Sequence, residues 1–147
     1  MKPNGPLMVV DASVAAKWVL REPGREQSLR LLNDYESAAV QLIAPSLLPI
    51  EIASVLTKRQ RRNELSPVQV REAFRMFEIR CPMLTDVREH IASAMELSAL
   101  HRLSVYDCVY LAMALERGCD LITADRKFYE ATSQAYASVR LLESQVV

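Results

Sequence analysis

The chain has 147 residues, with 18 basic and 18 acidic side chains and an apolar content of 50%. This length is typical of one domain, which we place over residues 1–147, and the zero net charge argues against a protein that grips nucleic acid by bulk positive charge. With only three glycines, the chain has no Gly-rich phosphate loop, so any contact with a phosphate backbone must come from a local patch or through a cation.

Short apolar runs, most of them followed by a helical pattern, predict an alternation of strands and helices. The predicted strands are Leu7–Val10, Gln41–Ala44, Cys81–Leu84, Asp120–Thr123 and Val139–Leu142. Such alternation is typical of a parallel sheet with helices on both faces. We therefore expect an α/β fold of three layers, α/β/α, around a central, mainly parallel five-stranded sheet.

The helix signals agree with this alternation. Ser66 followed by Pro67 predicts the N-cap and first position of a helix that runs to about Arg80. Gly118 suits the C-cap of the apolar helix that precedes it. Further helices are predicted over 47–62, 87–100 and 126–135, the first of them capped by Ser46.

Four carboxylates fall at one edge of the predicted sheet. Asp11 directly follows the first strand, and Asp125 comes two residues after the fourth. Glu51 is placed in the second turn of the helix after strand two, and Asp107 in the first turn of the helix that leads into strand four. Crossover helices begin near the carboxyl edge of the strands, where open α/β sheets bind ligands. We therefore expect all four acids there, with strand one beside strand four.

The chemistry of such a cluster points to a metal ion. Four carboxylates within several ångströms repel each other, so some must protonate or a cation must neutralise them. Oxygen ligands without a His or Cys cluster suit a hard cation, Mg²⁺ or Mn²⁺. A cation of this kind can bind phosphate oxygens and lower the pKa of water. The pattern therefore favours hydrolysis of a phosphodiester.

Each acid also has a local explanation. Ser104-x-x-Asp107 resembles a capping box, and Asp11 and Asp125 could cap the helices that follow them. Glu51 is the hardest to explain in this way, because it is placed too deep in its helix to cap it. The coincidence of all four on one edge favours a shared site.

Hydroxyl and basic side chains accompany the acids. Ser13 and Thr123 could orient a carboxylate or a water, or could bond to the nearby backbone. The basic residues closest in sequence to the acids, and hence the best candidates for phosphate contact, are Lys17, Arg21, Arg126 and Lys127. The basic run TKRQRR over 57–62 could touch nucleic acid too, although cations at a helix C-terminus commonly complement the helix dipole.

Three segments together resemble the PIN-domain ribonucleases, most of all the VapC-type toxins of toxin–antitoxin pairs. In chain order they are VVDASVAAKWVLREP, APSLLPIEIASVLTKRQRRNELS and LSVYDCVYLAMALERGCDLITADRKF. The resemblance implies a set of catalytic, metal-binding acids, namely Asp11, Glu51, Asp107 and Asp125. It also implies supporting hydroxyls at Thr123 and Ser13.

The resemblance further implies an activity and partners. The family cleaves RNA with Mg²⁺ or Mn²⁺, typically dimerises, and is held inactive by a cognate antitoxin that folds onto it. We therefore expect a metal-dependent endoribonuclease with an antitoxin partner and a homodimeric state. The alternative is a catalytically inactive PIN-like scaffold for RNA binding or regulation. A receiver domain or an Asp-x-Asp phosphatase is disfavoured, because Asp11 stands without a second acid beside it.

The cysteines and the apolar runs bear on location. Cys81, Cys108 and Cys119 form no CxxC pair, which fits reduced thiols in a cytoplasmic protein. Only four apolar residues precede Asp11, and no run approaches the length of a membrane helix. The sequence thus predicts no signal peptide and no contact with a membrane.

Overall fold

A computed structural model of the chain describes residues 5–145, and within them five strands form one sheet. The strands are β1 (Leu7–Val10), β2 (Gln41–Pro45), β3 (Met83–Thr85), β4 (Asp120–Thr123) and β5 (Val139–Leu141). They run in the order β3-β2-β1-β4-β5, and every pairing is parallel. The predicted three-layer α/β fold is confirmed, with a sheet that is wholly parallel over these residues.

Helices connect the strands. They are α1 (Ala12–Ala15), α2 (Arg25–Glu36), α3 (Leu48–Arg61), α4 (Pro67–Ile79), α5 (Ile91–His101), α6 (Val105–Arg117) and α7 (Arg126–Thr132). Three short 3₁₀ turns lie at Ala16–Trp18, Val87–His90 and Leu142–Gln145. The helix predicted over 87–100 thus opens as a 3₁₀ turn before α5, and α7 ends before its predicted end near residue 135. No helix of residues 5–145 combines the length and hydropathy that crossing a bilayer requires.

The strand order creates the crevice where the acids lie. From β1 the sheet extends to β2 and β3 on one side and to β4 and β5 on the other. The order of the strands reverses between β1 and β4, and ligands bind at such a point. A hydrogen bond of 3.4 Å from Asp11 N to Ile122 O joins the carboxyl ends of the two strands. The predicted adjacency of strands one and four is confirmed.

The caps explain where several helices begin and end. Ser66 and Gln69 form a complete capping box at the start of α4, with Pro67 in the first turn. Gly118, in the left-handed region at φ 61°, ends α6. These two predicted boundaries are confirmed.

Two predicted boundaries are wrong for reasons of local hydrogen bonding. β3 begins at Met83 rather than Cys81, because Pro82 has no N–H to offer to the ladder. Ser46 does not cap α3, since its Oγ accepts instead from Val87 N, 3.0 Å away. No side chain caps α3, which begins at Leu48.

Helix α6 lies at the centre of the hydrophobic core. The side chains from Cys108 to Ala114 are all buried, as expected of a helix surrounded by protein. This helix packs against β1, β2 and β4 on one side and against α5 on another. Asp107 lies immediately before the buried run, so the core places this carboxylate at the edge of the sheet.

Candidate active site

Asp11 is held by hydroxyl groups from α1 and from the end of β4. Its Oδ1 accepts from Ser13 Oγ at 2.5 Å and from Val14 N at 3.3 Å, so it is the N-cap of α1. Ser13 Oγ in turn accepts from Ala124 N at 2.8 Å and lies 3.4 Å from Thr123 Oγ1. The expected capping role and the expected supporting hydroxyls are thus parts of one network across β1 and β4.

Burial changes the acidity of Asp11. Burial, with a smaller contribution from the negative charge of Asp107, raises the pKa of this carboxyl from 3.8 to about 6. Hydrogen bonds from Ser13 and Thr123 favour the charged form and hold the pKa down. Burial and hydroxyl groups therefore oppose each other at this carboxyl, and burial prevails.

Glu51 and Asp107 are partly buried neighbours on different helices. Because α3 begins at Leu48, Glu51 lies in the first turn of the helix and not in the predicted second turn. Burial raises the pKa of both carboxyls. The charge of Asp107 raises the pKa of Glu51 further, and the charge of Asp125 does the same to Asp107. The two helices thus bring their acids within electrostatic reach of each other.

Asp125 combines a local role with its place at the site. It is exposed, and its Oδ1 accepts from Phe128 N at 3.1 Å as the N-cap of α7. Its own backbone N donates to Thr123 Oγ1 at 3.1 Å. The cap therefore fixes where this carboxylate stands relative to the end of β4.

The four acids form one electrostatic cluster, but a looser one than the sequence predicts. Asp107 acts on Asp11 and Glu51 and is acted on by Asp125. Among the residues that the structure describes, no three His, Cys, Asp or Glu side chains are grouped so that they could hold a metal ion. Asp11 and Asp125 each accept a hydrogen bond at the N-terminus of the helix that follows them. The donors, all carboxylate oxygens, are of the kind that suits a hard divalent cation.

Two of the basic residues expected to contact phosphate already have partners. Lys17 Nζ lies 3.1 Å from Glu22 Oε1, and Arg126 Nη2 lies 2.8 Å from Glu143 Oε2. Arg21 and Lys127 are exposed. The last two are therefore the more accessible candidates.

Tyr110 also lies at the site, although it was not among the residues predicted from the sequence. Its hydroxyl donates to Glu51 Oε1 at 2.6 Å, a bond from α6 to α3. Burial raises the pKa of this phenol, with the charge of Glu51 adding to the effect. The available signal was a phenol three residues after Asp107 in an apolar helix, because a buried tyrosine hydroxyl needs a partner.

Replacing Ser13 with Ala tests the hydroxyl network. The variant loses the donor to Asp11 and leaves Ala124 N without its acceptor. We expect a loss of about 1–3 kcal/mol in the free energy of unfolding. The pKa of Asp11 should rise further, because a bond to its charged form is lost.

Urea unfolding and the ¹³C titration of the Asp11 carboxyl measure the two effects. Ser37→Ala is the matched control, since the hydroxyl of this exposed serine donates to Asp34 O, three residues away. An unchanged Asp11 titration in the Ser13 variant would show that the hydroxyl does not support the carboxylate.

The chain belongs to the PIN domain family, whose model matches residues 8–133. Within the family, its relatives include proteins named as VapC ribonucleases. It is 32% identical over 128 residues to Ribonuclease VapC3 of Pyrobaculum aerophilum, covering 84% of this chain and 92% of that protein. It is 29% identical over 136 residues to Ribonuclease VapC9 of Mycobacterium tuberculosis, covering 92% and 98%.

A solved structure agrees with the fold. The crystal structure of PAE2754 from Pyrobaculum aerophilum matches with a TM-score of 0.68 over 95% of this chain and 93% of that chain. The sequence identity is 16%, so this likeness concerns the fold alone. The PIN-like architecture and the VapC-type resemblance expected from the sequence are both confirmed.

Proposed function

We propose that the chain is a divalent-metal-dependent endoribonuclease and the toxin of a toxin–antitoxin pair. The observation that carries the proposal is the coupling of four acids through Asp107 at the crevice between β1 and β4. The ribonuclease names of its PIN-domain relatives support the same substrate class. Acids that raise one another's pKa in a cleft are typical of a functional site.

The acids have distinct roles in this proposal. Asp11, Asp107 and Asp125 would hold Mg²⁺ or Mn²⁺, and Glu51 is a further ligand or the base that positions water. When bound, the ion supplies a Lewis acid that lowers the pKa of water and offsets the charge of the phosphate. Ser13 and Thr123 keep the Asp11 carboxylate oriented, since both hydroxyls lie in its network.

The proposed reaction is in-line hydrolysis. A water oxygen bonds to phosphorus and gives a proton to a base, for which Glu51 is the candidate. The bond to the 3′ oxygen breaks, and this leaving oxygen takes up a proton from solvent. The products carry 5′ phosphate and 3′ hydroxyl ends. Ends with 2′,3′-cyclic phosphate would contradict this mechanism, because they require attack by the RNA's own 2′ hydroxyl.

Cleavage of total RNA by the protein and its Asp107→Asn variant tests the proposal. We expect cleavage that stops with EDTA, returns with Mg²⁺ or Mn²⁺, and falls roughly 10²- to 10³-fold in the variant, since a charged group at the reaction centre is lost. Asp34→Asn, in the exposed part of α2, is the matched control. A wild-type protein that neither cleaves RNA nor binds Mn²⁺ would contradict the proposal and favour a PIN-like scaffold.

The proposal includes a cognate antitoxin, a second copy of the chain and a cytoplasmic location. A groove of about 630 Å³ runs past Trp18, Arg25, Val68 and Met76. Val68 and Met76 are exposed, and Arg25 Nε is buried without a hydrogen-bond partner among the described residues. An antitoxin segment with an apolar face and a carboxylate would satisfy both features.

The cysteines are free, which suits a reducing compartment.

Two observations test the partners. A small open reading frame directly upstream, encoding a DNA-binding N-terminus, is the expected antitoxin gene. Its product should co-purify with the chain and inhibit cleavage, and Arg25→Ala should weaken the complex. Light scattering of the purified chain should give the mass of a dimer, and a monomer would contradict that part of the proposal.

A further inference from the structure

Tyr110 reaches from the core of the protein to an acid on a neighbouring helix. Its side chain is 2% exposed, and its hydroxyl donates to Glu51 Oε1 at 2.6 Å. A buried tyrosine has two side-chain torsions, both fixed here by packing, so the position of its hydroxyl oxygen is fixed as well. Glu51 has a flexible, partly exposed side chain that is not held by packing in the same way.

The spacing along α6 places two groups at the same site. Asp107 and Tyr110 are three residues apart, so they lie on one face of the helix. The carboxylate of Asp107 acts on Glu51 by charge, and the phenol of Tyr110 acts on it by a hydrogen bond. One helix thus supplies both an acid of the site and the group that restrains its neighbour.

The hydrogen bond leaves Glu51 able to act. A carboxylate has about four lone-pair sites, and Tyr110 occupies one of them on Oε1. The bond thus leaves Oε2, for which no hydrogen bond is found within residues 5–145, as the oxygen for a cation or a water. Without the bond, repulsion from Asp107 would favour rotamers of Glu51 that point away from the cluster.

We propose that Tyr110 is a positioning residue that holds the Glu51 carboxylate toward the acid cluster, and this rests on the proposed function. Tyr110 itself does not touch the substrate, because it is buried behind Glu51. The hydrogen bond from Tyr110 restricts the rotation of the Glu51 side chain before any ligand binds. Groups that orient metal-binding carboxylates in this way typically change metal affinity or activity by about 10- to 100-fold.

The Tyr110→Phe variant of the full chain tests this role, because it keeps the ring and removes the hydroxyl. We expect Mn²⁺ binding to the metal-stripped protein, followed by calorimetry, to weaken about 10-fold. The kcat for RNA cleavage should fall by a similar factor, with KM for RNA unchanged. The control is Tyr136→Phe, which removes a hydroxyl bonded to His101 Nε2 at 2.9 Å. That control should leave Mn²⁺ affinity and kcat unchanged.

A double variant separates positioning from general packing. If Tyr110 acts through Glu51, adding Tyr110→Phe to Glu51→Gln should change Mn²⁺ affinity and kcat by less than about 2-fold. Full additivity of the two substitutions would overturn the inference, as would a Tyr110→Phe protein with wild-type affinity and kcat. A wild-type protein without Mn²⁺ affinity would overturn the proposed function and this inference together. Wild-type binding with an unchanged variant overturns this inference alone.

Discussion

The Asp11→Asn variant is expected to lose RNA cleavage by about 10³-fold or more while its metal-free form becomes more stable than the wild type. Asn is as good an N-cap as Asp, so the bond from Val14 N that starts α1 is retained. The substitution removes a charge that is partly buried and repelled by Asp107. Activity and stability should therefore move in opposite directions, as expected of a residue kept for function.

The raised pKa of Asp11 determines how the free energy of unfolding changes with pH. The pKa of Asp11 is 3.8 when unperturbed and about 6 in the folded protein, so between these values the folded state binds more protons than the unfolded state. The free energy of unfolding then falls as the pH rises from about 4 to about 6, by up to about 3 kcal/mol. Most of that fall should vanish in Asp11→Asn, leaving a smaller slope from Glu51 and Asp107, whose pKa values are also raised.

Urea unfolding between pH 4 and pH 8 in EDTA measures this difference. Addition of Mn²⁺ should then reverse the order of stability, because a ligand stabilises the folded state that binds it. Asp34→Asn should follow the wild-type curve at every pH. An Asp11→Asn protein that is less stable than the wild type at pH 7 would mean that the carboxylate serves the fold rather than a site.

The sequence predicted best those elements whose ends carry their own chemical signal. The bounds of β1 and β4 were correct, because the apolar run of β1 ends before Asp11 and that of β4 ends at Thr123. The start of α4 followed from Ser66 and Pro67, and the end of α6 from Gly118. Asp11 and Asp125 come just after β1 and β4, so their position at one edge of the sheet could be predicted as well.

Contacts between elements could not be predicted in the same way. Ser46 had an equally good local partner in its own helix, and only the folded chain brings Val87 N to it. The bond from Tyr110 to Glu51 spans 59 positions, so no local pattern records it. The spacing of the acids depends on side-chain rotamers, which no sequence pattern records, so the looser cluster among the described residues could not be predicted.

The Trp18→Ala variant is expected to lose about 3–5 kcal/mol of stability, a larger loss of stability than any other variant proposed above. Trp18 is 4% exposed, and its Nε1 donates to Ser28 O at 3.0 Å. Ser28 Oγ donates in turn to Val14 O at 2.7 Å. These two hydrogen bonds connect α2 and the 3₁₀ turn after α1 to α1 itself, which Asp11 caps. Loss of the indole should therefore loosen the Asp11 side of the site as well.

Thermal unfolding and Mn²⁺ binding of two Trp18 variants separate packing from hydrogen bonding. Trp18→Phe keeps most of the ring volume and removes Nε1, so it should cost less than Trp18→Ala, with about 1 kcal/mol of its loss due to the bond. Met95→Ala is the control, because this side chain is 59% exposed and should have little effect. If Trp18→Ala kept wild-type stability but lost Mn²⁺ affinity, Trp18 would act on the site directly. We instead expect Mn²⁺ affinity to fall only to the extent that α1 loses its attachment to α2. The indole Nε1 donates to Ser28 O and not to an acid of the site.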